Sequence, residues 1–146
     1  MGIFTGFSIS GSGLTAQRFR MNVVSNNIAN LETTSTPEGG PYIRREVVLS
    51  PLITRSLRPQ RPGLRGQASI QGVEVAKVQE DRAAPKVVYE PDHPDANADG
   101  FVTYPNIDLV SEIIDMNAAL RAYEANVTAL NSAKAMAMKA LEIGRA

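Results

Sequence analysis

From residue 109 onward, apolar positions recur at alternating steps of four and three: Leu109, Ile113, Met116, Leu120, Tyr123, Val127, Leu130, Lys134, Ala137 and Leu141. A helix brings residues so spaced onto one narrow face, and a face sustained over that many turns requires a second helix along its length. The pattern predicts a rod of about 38 residues and about 57 Å, well beyond the usual length of a globular helix. Lys134 interrupts the stripe, and a polar residue there sets register or partner at some cost in stability. Asn106 or Asp108 can cap the start. Glu112 near the start and Lys139 and Arg145 near the end suit the helix dipole.

A smaller stripe sits at the other end of the chain. Phe7, Leu14, Met21 and Ile28 fall seven apart, with Val24 and Leu31 each three residues further on. Ser10–Gly13 is expected to be a flexible start with Ser12 as N-cap, the helix running from there to about Thr33. The run Ser25-Asn26-Asn27-Ile28-Ala29-Asn30 has poor helix propensity, because short polar side chains compete for the backbone. This helix is therefore expected to depend on a packing partner and to be disordered without one.

Between the stripes the signals change. Pro37, Gly39, Gly40 and Pro41 break the first helix. Residues 42–49 read as a strand and 51–66 as an exposed arginine-bearing loop. Two short strands over 73–78 and 85–89, a turn over 91–100 and a last strand over 101–104 follow. The fold class is α+β: long N- and C-terminal helices pairing as a coiled-coil-like inner domain, with a small β-rich middle domain. The expected division is an N-terminal helical segment over 1–35, a β-rich middle over 36–105 and a C-terminal helix over 106–146 that pairs with the first.

Chemistry is sparse. The absence of cysteine excludes disulfides, thiol catalysis and thiolate metal sites. No stretch approaches the roughly 18 apolar residues that span a bilayer, and no cleavable secretory signal is recognisable. Gly6 stands where a myristoylation signal needs Ser or Thr. The net charge is zero, yet Arg44, Arg45, Arg55, Arg58, Arg61 and Arg65 precede Glu74, Glu80, Asp81, Glu90, Asp92, Asp95 and Asp99. These patches either steer related subunits together or are two solvated surfaces. A neutral chain with few aromatics speaks against nucleic acid as a partner.

Asp95-x-Asn97-x-Asp99-Gly100 matches the first half of a calcium loop, in which alternate side-chain oxygens surround the ion. The twelfth position, which should be a bidentate Glu, is Asn106, and Pro91, Pro94 and Pro105 obstruct the flanking helices. A tight connection between strands 86–89 and 101–104 is the better reading, since Asp-Gly suits such turns. His93, the single histidine, has no base or nucleophile pattern around it. Gly11-x-Gly13 lacks the other parts of a phosphate loop. No catalytic, cofactor or metal residue is assigned. The readings that remain are a structural assembly subunit, a calcium- or ligand-binding module with coiled-coil ends, and, without a candidate base or nucleophile, a small hydrolase.

The run Asn22-Val23-Val24-Ser25-Asn26-Asn27-Ile28-Ala29-Asn30-Leu31-Glu32-Thr33 resembles the N-terminal signature of the bacterial flagellar axial proteins, the rod and hook family, with Glu32 in place of the usual second Asn before Thr. Residues 36–42 and 89–100, with Tyr104-Pro105-Asn106-Ile107-Asp108 and Tyr123-Glu124-Ala125-Asn126-Val127, extend the likeness over nearly the whole chain, closest to the proximal-rod members. The resemblance implies paired terminal helices forming an inner tube, a β-rich part outside it, and type III export without a cleaved signal. It also implies a place in the basal-body rod crossing the periplasm. The implied partners are copies of the same chain, other rod proteins, adaptor proteins at the rod base and membrane ring, and the export apparatus. The expected assembly residues are Leu14, Met21, Val24, Asn26, Asn27, Ile28, Asn30 and Leu31 on the first helix. On the second they are Leu109, Ile113, Met116, Leu120, Tyr123, Val127, Leu130 and Leu141.

Overall fold

A computed structural model describes residues 3–55 and 68–144. In chain order the elements are α1 (Ile3–Ala29), β1 (Arg45–Arg55), β2 (Ala68–Glu80), β3 (Lys86–Tyr89), β4 (Phe101–Tyr104) and α2 (Leu109–Ile143). The two helices pack against each other, and the strands form two separate antiparallel hairpins, β1–β2 and β3–β4. The α+β architecture with paired terminal helices stands as the sequence implies.

The helices run antiparallel. Asn27 meets Glu112 at one end of the contact, and Gly13 meets Asn126 further along. One step forward along α1 is thus matched by one step back along α2. At Gly13 the Asn126 side chain lies against the α1 backbone, so that a Cβ there would be 2.9 Å from Asn126 Oδ1. The apolar core is thin: among the described residues the buried apolar side chains are Ala16, Val23 and Val24 on α1, Ala119 on α2, Val102 in β4 and Ile107 just before α2.

The first helix begins earlier than its sequence suggests. Residues 10–13 are helical, not a flexible start, and Ser12 is not an N-cap. Its hydroxyl donates to Ile9 O at 2.7 Å, one turn back, and accepts from Val73 N in β2 at 3.1 Å. Gly72 precedes that contact with φ +146°, and a side chain there would strike Ser12. The helix survives its Ser/Asn stretch because α2 supplies the buried surface that local propensity lacks.

The β1–β2 hairpin is longer than the expected strands at 42–49 and 73–78. Arg45 pairs with Glu80 and Arg55 with Ala68, with irregularities between Val48 and Leu49 and between Leu52 and Ile53. Pro51 lies inside β1 opposite Val73, so the expected loop begins no earlier than residue 56. A two-stranded ribbon has an open edge on each strand, where a residue without an N–H is tolerated. The rest of that loop, with Arg58, Arg61 and Arg65, lies outside the described residues.

The second hairpin follows its sequence signals closely. Tyr89 pairs with Phe101 and Lys86 with Tyr104, and the rings of Tyr89 and Phe101 meet edge-on at 5.2 Å. In the connection, Asn97 Oδ1 accepts from the backbone N–H groups of Asp99 and Phe101, at 3.0 and 2.9 Å. The oxygen that a calcium loop would aim at the ion is therefore engaged in holding the turn. Gly100 takes φ +81°, which favours glycine. Asp108 caps α2, accepting from Ser111 N at 3.2 Å and from its hydroxyl at 2.6 Å. Those bonds favour the ionised carboxylate and hold the Asp108 pKa below the usual carboxylate value, with Lys86 adding a little.

Candidate functional site

Where α1, α2 and the root of the first hairpin converge, the interior is polar. Asn27 and Glu112 are both 0% exposed. The amide nitrogen of Asn27 donates to Arg45 O at 2.8 Å and to Glu112 Oε2 at 3.0 Å. Its oxygen accepts from Arg45 N at 3.0 Å and from the Tyr42 hydroxyl at 3.1 Å. An amide has two donors and two acceptor lone pairs, so every one is used. Asn27 thus fixes α1 against α2 and against the first residue of β1 at the same time.

Arg44 covers the other side of the carboxylate. Its Nε donates to Glu112 Oε1 at 2.7 Å, and its terminal nitrogens lie 3.7 Å from Asp81 and from Asp115. Arg20 on α1 donates to Asp115 at 3.0 Å. Burial works against the Arg44 charge, but the bond and charge of Glu112, helped by Glu46 and Asp81, raise its pKa above the ordinary arginine value. Tyr42 is also raised, chiefly by burial, with Arg45 opposing and Glu112 assisting. Glu112 with both oxygens bonded is the favourable case for a buried charge, whereas removing either partner leaves a costly orphan. The cluster has the chemistry of a structural clasp. It offers no nucleophile, and its carboxylate is sealed from solvent.

The seam read from the sequence straddles this interface instead of filling it. On α1, Val24 and Asn27 are buried, Leu14, Met21, Ile28, Asn30 and Leu31 are half-buried, and Asn26 faces solvent. Asn30 closes the helix: its amide donates to Asn26 O and its oxygen accepts from the Thr33 hydroxyl. On α2, Met116, Tyr123, Val127 and Leu130 flank α1 half-buried, while Leu109, Ile113, Leu120 and Leu141 are exposed. The middle of the interface falls instead on Glu112, Ala119 and Asn126, one residue before the line Ile113, Leu120, Val127. The reason is size: Gly13 and Ala16 let the helices approach closely, and only small or bonded polar side chains fit between them. Sequence reasoning missed Glu112, Arg44 and Asp115. The sevenfold spacing of Glu112, Ala119, Asn126 and Ala133 was the available signal.

Two families align with these ends of the chain. One described as "Flagella basal body rod protein" matches residues 7–35, and one described as "Flagellar basal body rod FlgEFG protein C-terminal" matches residues 98–143. Over the full length the chain is 43% identical to the flagellar basal-body rod protein FlgC of Borreliella burgdorferi, covering 98% of each. It belongs to the FlgC family. Other relatives are FlgC of Bacillus subtilis, 45% identical over 99% of this chain and all of that protein, and FlgC of Salmonella typhimurium, 40% identical over the same shares. The two matched ranges take in most of both paired helices, so Asn27 and Glu112 of the clasp lie within them.

Proposed function

We propose that this FlgC-family chain is a structural subunit of the flagellar basal-body rod, built into it through its terminal helices. The observation that carries the reading is the surface left after α1 and α2 have paired. Val110, Ile113, Ile114, Leu120, Met136 and Leu141 remain exposed along α2, from 42% at Leu120 to 70% at Leu141. A lone soluble protomer seldom presents so much large apolar surface along one helix, and subunit packing gives it a use. The half-buried flank of α1, with Leu14, Met21, Ile28 and Leu31, extends the same surface, and Asn26 supplies an exposed amide beside it. The helical ends, over 1–35 and 106–146, act as the assembling part, and the middle over 36–105 as the outer part.

In this role the subunit transmits torque by packing and performs no chemistry. Its partners are copies of itself, other rod proteins and adaptor proteins of the rod base and membrane ring, and it reaches the rod across the periplasm through the type III export apparatus. No helix among the described residues is long and apolar enough to cross a membrane. The test is deletion of the gene, with motility scored and basal bodies purified. Loss of motility and of the rod, restored by the intact gene, is the expected result. Motile cells with complete rods would overturn the reading.

A further inference from the structure

We propose that the root of the first hairpin sets the register of the helix pair: Arg44, held to α1, reads the position of α2 through the buried carboxylate of Glu112. This register lock is a property of the single protomer and holds whatever the protomer builds.

Apolar packing alone does not fix the register. The buried and half-buried line of α1 runs through Gly13, Ala16, Arg20, Val23 and Asn27, and that of α2 through Glu112, Met116, Ala119, Tyr123 and Asn126, each by alternating steps of three and four. The pairing of Asn27 with Glu112 and of Gly13 with Asn126 sets Val23 opposite Met116 and Ala16 opposite Tyr123. Advancing α2 by one heptad, about 10 Å at ~1.5 Å per residue, sets Val23 opposite Tyr123, Ala16 opposite Leu130 and Gly13 opposite Ala133 instead. Apolar still meets apolar and small still meets small. Helix also still lies beside helix from Ile3 to Ala29, because α2 runs on to Ile143. The reverse slide is the poorer alternative, since it carries the last turn of α1 past the start of α2 at Leu109.

The polar cluster does distinguish the two registers. Tyr42 and Arg45 both hydrogen-bond to Asn27, so Arg44 between them travels with α1. Val73 N on Ser12 ties the same hairpin to α1 a second time. The anions that Arg44 meets on the other helix are Glu112 Oε1 at 2.7 Å and Asp115 at 3.7 Å, the latter shared with Arg20 of α1 at 3.0 Å. Among the described residues every ion pair between α2 and the rest of the chain falls on these two carboxylates. When α2 advances by one heptad, Ala119 and Ala122 arrive where Glu112 and Asp115 stood. Asn27 then loses its carboxylate partner, and Arg44, with a side chain only 20% exposed, loses both of its anions on α2. Breaking a buried pair in this way is costly, while the apolar positions lose little.

A polar group buried in a helix seam fixes register at some cost in stability. Here the group that recognises it comes from a third element, so the register is established only once the hairpin root has docked. The consequence lies on the outside of the pair. A slip would carry the exposed Ile113, Ile114 and Leu120 about 10 Å along α1, out of line with the half-buried Leu14 and Met21.

Because the chain has no cysteine, introduced pairs report the register without background. Val23→Cys is combined with Met116→Cys to detect the register described, or with Tyr123→Cys to detect the advanced one. The purified full-length chain is mildly oxidised, and intrachain disulfides are quantified by mass spectrometry. With the cluster intact, the 23–116 link is expected and the 23–123 link is not. Asn27→Leu, Arg44→Met and Glu112→Leu together replace the cluster by apolar side chains; this variant should keep its helical circular dichroism yet form both links in comparable yield. In a second variant, Glu112→Ala with Ala119→Glu moves the carboxylate one heptad along α2, and Arg20→Ala removes the cation it would otherwise meet there. The 23–123 link should then become the main product. A folded variant that fails to form the 23–123 link overturns the inference, as does that link, or no link, in the chain with the cluster intact. Loss of helical structure in both variants overturns it as well, since the cluster would then hold the pair together without choosing its register.

Discussion

Replacing Asn27 by alanine sets two physical effects against each other. Alanine is the better helix former by about 0.6 kcal/mol, so propensity alone favours the variant. Against this stand the four hydrogen bonds that the amide makes to Arg45 N, Arg45 O, Tyr42 and Glu112. A neutral bond contributes about 0.5–1.5 kcal/mol net and one to a charged group about 1.5–3, while any partner left buried and unsatisfied costs more. Tyr42 and Arg45 are partly exposed and can regain water, which lowers the total. The loss of about 3–4 kcal/mol outweighs the propensity gain, leaving roughly 3 kcal/mol of destabilisation and a fall in Tm on the order of 6–10 °C for a domain of this size. Urea and thermal unfolding of the full chain measure it directly. Asn26→Ala is the internal control, since that side chain is exposed and makes no hydrogen bond among the described residues; it should be neutral or slightly stabilising. Equal stability of the two variants would refute the clasp as a source of stability.

Leu120→Asp should leave the protomer folded, because the position is already 42% exposed, yet block incorporation into the rod; normal incorporation would show that this flank meets solvent there too. Gly100→Val should destabilise by about 2 kcal/mol, from a β-branched residue at φ +81° and a Cβ only 2.9 Å from the Tyr89 ring. Asp95→Asn should be nearly silent with or without calcium, since its contact is an oxygen accepting from the Thr34 hydroxyl, which an amide oxygen can replace; a calcium-dependent stability change would reopen the metal reading. For Asp108, a lowered folded-state pKa means stability that is present above the ordinary carboxylate pKa, near 3.8, and lost as pH falls through the lower folded value. Acid titration of unfolding should show this component in the parent and lack it in Asp108→Asn, which keeps an acceptor for Ser111.

The parts of the fold that local chemistry decides were legible in the sequence. The Asp-Gly turn, the strands at 86–89 and 101–104, the Asp108 cap and the long second helix follow from neighbouring residues. What the sequence concealed depends on distant contacts. Ser10–Gly13 looks like a flexible start because glycine and serine are weak helix formers, yet Gly13 is required where Asn126 approaches and Ser12 where β2 arrives. Glu112 looks like a residue complementing the dipole, and only the arrival of Arg44 and Asn27 makes it a buried anchor. The phase of the seam was displaced for the same reason: large apolar residues mark a sticky face, but the closest approach belongs to small ones.

Among the described residues the hairpin is hydrogen-bonded to α1 at two places, Arg45 on Asn27 and Val73 on Ser12. Fifteen residues of helix separate those points on α1, about 22 Å, and the six residues from Arg45 to Pro51, the partner of Val73, span about 20 Å of strand. The lengths match, so the ribbon lies along the helix as a batten fastened at both ends. A single fastening would act as a swivel, allowing the ribbon to turn under a sideways load. Two fastenings this far apart resist that rotation as a couple, and the load passes into α1 as shear between neighbouring backbones. Freeing only the far fastening, at Ser12, would therefore soften the ribbon while leaving its root in place.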